Sequence, residues 1–189
     1  MRLFVALEIP EPVCREVARR VAGLRERLPR ARWVDTGNLH LTLLFLGQVD
    51  DARVPVLGAA LREAFAKHSP LELRLADGGT FPPGRPARVA WVGMETPGDL
   101  EALQAGVSAA AVEAIGFEPE ERPFHPHVTL ARCDPGWPRD AADKFKAAFP
   151  GTIGQPWIAE HGILMESKLS PRGSQYRVAE VLPFREDES

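Results

Sequence analysis

Two short segments hold the residues best suited to chemistry: His40-Leu41-Thr42 and His127-Val128-Thr129, almost half the chain apart. Each opens a compact apolar run that reads as a buried strand. On a strand, residues i and i+2 point to the same face. His40 therefore projects with Thr42, and His127 with Thr129, while Leu41, Leu43 and Val128 turn towards a core. Two such strands packed face to face would line a cleft with two imidazoles and two hydroxyls. That set suits a phosphodiester. A neutral imidazole takes the proton of an attacking oxygen, and a protonated one gives a proton to the leaving oxygen. Histidine's unperturbed pKa of about 6.5 lets both forms exist near neutrality. Each well-placed proton transfer is worth about 10²–10⁴ in rate, roughly 3–5 kcal/mol of barrier. The threonine hydroxyls can donate to the non-bridging oxygens, where transition-state charge collects. No metal is required. A single His-x-Thr is better explained by a satisfied core or surface histidine. Two copies in the same strand context, one per half, argue against that.

The elements that must hold these strands follow from periodicity. Residues 2–7 alternate as a first strand, and Val13, Val17, Val21, Leu24 and Leu28 then recur at helical spacing before Pro29. The first His-x-Thr strand, 40–46, ends at Gly47. A second helix is expected over about 53–66, with Leu57, Leu61 and Phe65 on one face, and Leu71, Leu73 and Leu75 alternate as a strand. Residues 77–86, DGGTFPPGRP, read as a loop and as the linker between halves. The order then starts again. A strand is expected over 87–94, and a helical stripe runs through Leu100, Leu103, Val107, Ala110 and Ala114 to Gly116. After the second His-x-Thr strand, 127–131, come a short helix anchored by Phe145 and Phe149 and strands over 158–167 and 175–182. Both halves thus run strand, helix, strand, helix, strand, which predicts one domain made of approximate repeats 1–76 and 87–182. Outside the His-x-Thr strands the halves do not match residue for residue.

The totals narrow the function classes. A chain of 189 residues, 44% hydrophobic and 26% charged, has the balance of an ordinary globular protein. No run approaches the roughly 20 apolar residues a membrane helix needs. The N-terminal apolar stretch is short and broken by Glu8 and Pro10, so it reads as a strand entering a helix and not as a signal peptide. Cys14 and Cys133 are too few for a disulfide framework, and a reducing, cytoplasmic setting follows as the default. Cys14 falls beside the first apolar stripe, as a small buried hydrophobe. With 23 basic against 26 acidic residues the net charge is −3. A protein holding long nucleic acid through many phosphates would be basic, so the anion is met in a pocket.

The segments 38–47, NLHLTLLFLG, and 124–132, FHPHVTLAR, resemble the paired signatures of the two-histidine (2H) phosphoesterase superfamily. Within it, the chain is most similar to the RNA 2′,3′-cyclic phosphodiesterases, historically called 2′-5′ RNA ligases. The likeness extends to Arg2, Phe4 and Ala6, to Arg88, Trp91, Val92 and Gly93, and to Ser167-Lys168-Leu169-Ser170-Pro171 before Tyr176. It implies an α+β fold of two lobes, each with an antiparallel sheet and helices, around a central cleft. It also implies roles. His40 is the proton donor to the 3′ oxygen, His127 is the proton acceptor from water, and the product carries a 2′-phosphomonoester. Arg132 matches the arginine closing the second signature, and with Thr42 and Thr129 it would bind the phosphate. The implied partner is an RNA or oligonucleotide end bearing a cyclic phosphate, with no cofactor, no membrane and weak ATP-independent 2′-5′ joining in reverse. A monomer is expected, because two lobes complete one site.

Other residues have competing readings. His125-Pro126-His127 could pass for a metal pair, yet no third ligand stands at the usual spacing. His125 fits the cleft rim or solvent equally well; His68 and His161 read as structural or exposed. Arg85, Arg88, Lys168, Arg172 and Arg177 could extend a positive rim for RNA or simply be solvated. Phe45 and Trp91 read as core before base-stacking platforms, and the acidic runs 118–121 and 186–188 as solvated surface. Rival functions are cleavage of 2′-5′-linked oligonucleotides or of a cyclic nucleotide metabolite, a non-catalytic module for RNA ends, and a zinc hydrolase.

Overall fold

The computed structural model describes residues 1–83, 86–95, 98–171 and 173–186. The chain opens with β1 (Arg2–Glu8), α1 (Glu11–Ala22), the two-residue β2 (Arg32–Trp33), β3 (His40–Gln48), α2 (Val54–Phe65) and β4 (Leu71–Phe81). It continues with β5 (Ala87–Met94), α3 (Gly98–Ile115), β6 (His127–Trp137), α4 (Arg139–Ala147), β7 (Thr152–Ala159), β8 (His161–Ser170) and β9 (Gly173–Pro183). The strands form two antiparallel sheets, in the orders β3-β1-β8-β9 and β2-β6-β5-β4-β7. This is the expected α+β architecture.

The helices follow their apolar stripes. Pro12 lies in the first turn of α1, where a missing N–H costs nothing, and Val13, Cys14, Val17 and Val21 are buried. The stripe predicts a helix to Leu28, but α1 stops at Ala22. Gly23, worth about 1 kcal/mol less than alanine in a helix, begins a run of tight turns. Leu24 and Leu28 stay buried on those turns. α3 ends as its sequence predicts: Gly116 takes φ +62° and donates its N–H to the Val112 carbonyl at 2.8 Å. Cys14 is buried, as read from its stripe, and Cys133 is buried on β6, where desolvation pushes its thiol up to about 11.

β1 is buried on both faces, which makes it the centre of its sheet. Leu3, Val5 and Leu7 join the main core; Phe4 and Ala6 point the other way and cluster with Ile163 of β8. The register sets Ala6 opposite Thr42, so this second face carries the first His-x-Thr.

Three expectations are corrected. Residues 77–81 are not loop: β4 runs through them and pairs Gly78, Gly79, Thr80 and Phe81 with Val92, Trp91, Ala90 and Val89. The glycines are there because aromatic rings lie on them. A Cβ at Gly78 would stand 2.9 Å from Phe149 Cβ, and one at Gly79 would stand 2.2 Å from Trp91 Cζ2. Nor do the sheets divide at residues 77–86. β4 pairs with β5 across this short connection, as neighbouring strands usually do, and so joins the sheet of β6. β8 and β9 cross to the sheet of β1 and β3. Each sheet is built from both halves, and the stretch expected as one strand over 158–167 is divided between β7 in one sheet and β8 in the other.

Candidate active site

Both histidines stand at the first residue of a strand, His40 on β3 and His127 on β6. In each case the backbone just before the strand folds back to hold the ring. Nδ1 of His40 lies 2.8 Å from the carbonyl oxygen of Asn38, and Nδ1 of His127 lies 2.7 Å from that of His125. A carbonyl only accepts, so each Nδ1 carries hydrogen and each Nε2 is left to exchange a proton. Asn38 closes a 3-10 turn, Thr36–Asn38, whose entry is fixed by Asp35 accepting from the Gly37 N–H at 2.9 Å.

The two rings converge. His40, Thr42, His127, Thr129 and Arg132 line one small cavity of about 100 Å³ between the sheets, with Val34, Asn38 and Tyr176 completing the wall. At about 30 Å³ per water this is room for roughly three waters, the scale of a phosphoryl group. All five residues named from sequence are thus brought together. Arg132 is itself exposed, and Thr42 and Thr129 are half-buried.

Aromatic rings wall both imidazoles. Phe4 stacks on His40 with centroids 4.8 Å apart, and Tyr176 meets it edge-on at 5.3 Å. His127 has Phe81 edge-on at 5.1 Å and Trp91 at 6.0 Å, with the His125 ring 6.2 Å away. Burial pushes both imidazoles below the usual histidine range. The charge of Arg132 lowers both further, and that of His125 adds to the effect at His127; the carbonyl bonds at Nδ1 oppose the shift. Both rings therefore rest neutral near pH 7, and a phosphate anion arriving between them favours protonation.

Thr42 and His127 also line a second, larger space of about 850 Å³. Its walls include Phe45, Phe81, Phe124, His125, Arg88 and Arg122. Phe45 is not core as read from sequence: it is 45% exposed, because the strand irregularity between Val5 and Ala6 turns position 45 outwards. Trp91 is half-buried against Gly79. His125 is exposed and lines this groove, and so does Arg88. Lys168 and Arg177 instead flank the buried Glu166, with Arg177 Nη2 3.0 Å from its carboxylate. His161 pairs with Glu8 at 3.2 Å. Arg85 and Arg172 lie outside the described residues. Among the described residues, no group of three or more His, Cys, Asp or Glu could hold a metal ion, so His125 and His127 find no third ligand.

Sequence reasoning did not place Asn38, Val34, Tyr176 or Phe81 at the site. Asn38 opens the first signature segment and Tyr176 closes the last stretch of family likeness, which is the signal that could have found them. Val34 and Phe81 arrive only through the tertiary path of β2 and β4.

Two antiparallel sheets meeting at a pair of His-x-Thr strands form the frame of a 2H phosphoesterase. The sequence model of the 2′-5′ RNA ligase superfamily matches residues 9–154, and the chain belongs to that superfamily. The RNA 2′,3′-cyclic phosphodiesterase of Thermus thermophilus is 34% identical over 191 residues, covering 98% of this chain and 91% of its own. That of Methanothermobacter thermautotrophicus is 29% identical, covering 96% and 97%. A crystal structure of a Thermus thermophilus protein superposes with a TM-score of 0.81 at 31% identity over the whole of both chains. The apo structure of LigT from E. coli shares the fold, with a TM-score of 0.75 at 24% identity over 98% of each chain.

Proposed function

We propose that this protein hydrolyses RNA 2′,3′-cyclic phosphate ends to 2′-phosphomonoesters. The observation that carries the reading is the single small cavity into which both Nδ1-anchored histidines, both threonines and Arg132 converge. His127 Nε2 takes a proton from water as its oxygen attacks phosphorus. The bond from phosphorus to O3′ breaks, and O3′ takes the proton of His40 Nε2. One water is consumed, the phosphate stays on O2′, and solvent exchange resets the two rings. Thr42, Thr129 and Arg132 hold the non-bridging oxygens, where their donors strengthen as charge develops. The assignment of acid to His40 and base to His127 follows the family likeness. The curated relatives named as RNA 2′,3′-cyclic phosphodiesterases support the substrate.

The adjoining groove, far larger than a phosphate requires and lined by aromatic rings and arginines, fits the nucleoside that carries the cyclic phosphate. We take the protein to work as a cytoplasmic monomer; the site is completed within one chain, and among the described residues no helix is long and apolar enough to cross a membrane. The matching strand orders β3-β1-β8-β9 and β6-β5-β4-β7 support reading the two halves as a duplicated unit.

The test is hydrolysis of a short RNA ending in a 2′,3′-cyclic phosphate, in chelator, by wild type, His40→Ala and His127→Ala. Turnover to a 2′-phosphate, with loss of about 10²–10⁴ in each variant, is expected. Full activity in either variant would overturn the two-histidine mechanism. No wild-type turnover would move the reading to another phosphodiester.

A further inference from the structure

Tyr176 reaches the cavity from β9, the outer strand of its sheet, and brings a hydroxyl that the two His-x-Thr motifs do not account for. Its ring is held in place by a three-ring cluster. It meets Phe4 edge-on at 5.4 Å and 78°, and His40 edge-on at 5.3 Å and 84°, while Phe4 and His40 stack on each other. His40 is thus fixed three ways: Phe4 behind one face, the Tyr176 edge, and the Asn38 carbonyl at Nδ1. The Tyr176 hydroxyl, by contrast, makes no hydrogen bond with any of the described residues. A half-buried phenol that lines a polar cavity normally finds a partner for its O–H. A phenol O–H is a hydrogen-bond donor. Its neighbours in the cavity wall are donors too: Thr42, Thr129 and Arg132. A cavity so rich in donors is built for an acceptor-rich guest.

We propose that Tyr176 is a substrate-contacting residue on the His40 side of the site. Its hydroxyl donates to the phosphoryl group between the two histidines, and its ring sets the plane of the His40 imidazole. This rests on the hydrolysis proposed above. It adds a third hydroxyl donor from a third strand, and it gives β9 a part in the reaction. The two histidines are then unequal in their surroundings: His40 has a phenol beside it, whereas His127 has Phe81, Trp91 and His125.

The experiment compares wild type with Tyr176→Phe, which keeps the ring, and Tyr176→Leu, which removes it. For Tyr176→Phe, kcat/KM on an RNA cyclic phosphate is expected to fall about 10- to 100-fold. Its pH–rate limbs and the NMR signals of the His40 ring should stay where they are. Tyr176→Leu should lose more activity and also move the His40 signals. A Tyr176→Phe protein within twofold of wild type would overturn the hydroxyl contact. Unmoved His40 signals in Tyr176→Leu would overturn the positioning role. Binding of inorganic phosphate, followed by calorimetry in the same proteins, separates this proposal from the reaction itself. Should wild type fail to hydrolyse the RNA, several-fold weaker phosphate binding by Tyr176→Phe would still support the contact, and equal binding would overturn it.

Discussion

The guanidinium of Arg2 lies over the ring of Phe45, 5.1 Å from its centroid, and props an exposed aromatic at the wall of the groove beside the two-histidine cavity. Such a prop is worth about 0.5–1 kcal/mol at an exposed site. Phe45 is too exposed to be there for core stability, and a base stacked on it would add about 1–3 kcal/mol. Phe45→Ala should therefore raise KM for an RNA cyclic phosphate by about 5- to 150-fold while kcat and the melting temperature change little. Steady-state kinetics beside a thermal melt check this. A stability loss with unchanged KM would return Phe45 to a packing role.

The pH dependence follows from the depressed imidazoles. In the proposed mechanism the free enzyme needs His127 neutral and His40 protonated, so kcat/KM should fall on the acid side as His127 gains a proton and on the alkaline side as His40 loses one. Burial and Arg132 lower both, so both limbs should lie below about 6.5. The bound phosphate anion favours the protonated rings, so the limbs of kcat should sit higher than those of kcat/KM. The same shift has a stability consequence. A histidine whose folded pKa is lowered binds more protons when unfolded. Its contribution is neutral above about 6.5 and becomes a penalty as pH falls towards the folded pKa. Wild type should therefore lose melting temperature relative to His40→Gln as pH is lowered through that window, and parallel curves would refute the assignment.

Close packing on β4 gives a test of how the His127 wall is built. With no Cβ at position 79, the Trp91 indole lies flat against the strand, and it in turn packs on His125 and His127. Gly79→Ala places a methyl 2.2 Å from Cζ2 and must push the indole aside. Overpacking of this kind costs about 1–3 kcal/mol. The expected result is a lower melting temperature together with reduced kcat, read by calorimetry and by a short RNA substrate. Normal activity at reduced stability would show that His127 is held by its carbonyl bond alone.

That same strand shows where the sequence could be read and where it could not. Period-two burial made His40, Thr42, His127 and Thr129 legible, because alternation on a half-buried strand survives into any tertiary setting. Gly78 and Gly79 misled because glycine marks both a turn and a close approach, and only the packing of Phe149 and Trp91 tells the two apart. The exchange of β4 and of β8 with β9 between sheets was equally hidden, since strand order is a long-range property that local pattern does not encode. Tyr176 shares that cause: no periodicity around position 176 predicts a place beside His40, which is set by the crossing of β9.

Arg132 poses the sharpest separation of charge from geometry. It is exposed, yet its charge acts on both imidazoles and it lines the cavity with them. Removing it should do two opposite things. Both histidines should titrate higher, closer to about 6.5, because a neighbouring cation no longer opposes their protonation. Phosphate binding should weaken by about 10- to 100-fold, the usual loss for a charge-assisted hydrogen bond. Arg132→Lys separates the effects. The charge stays, so the titration should stay depressed, but an ammonium cannot make the two-pronged contact a guanidinium makes with a phosphate. NMR titration of the histidine ring protons and calorimetric binding of inorganic phosphate measure the two quantities on the same samples. Raised titration in Arg132→Ala with unchanged phosphate affinity would leave Arg132 as a bystander charge, and the clamp would then fall to Thr42, Thr129 and Tyr176.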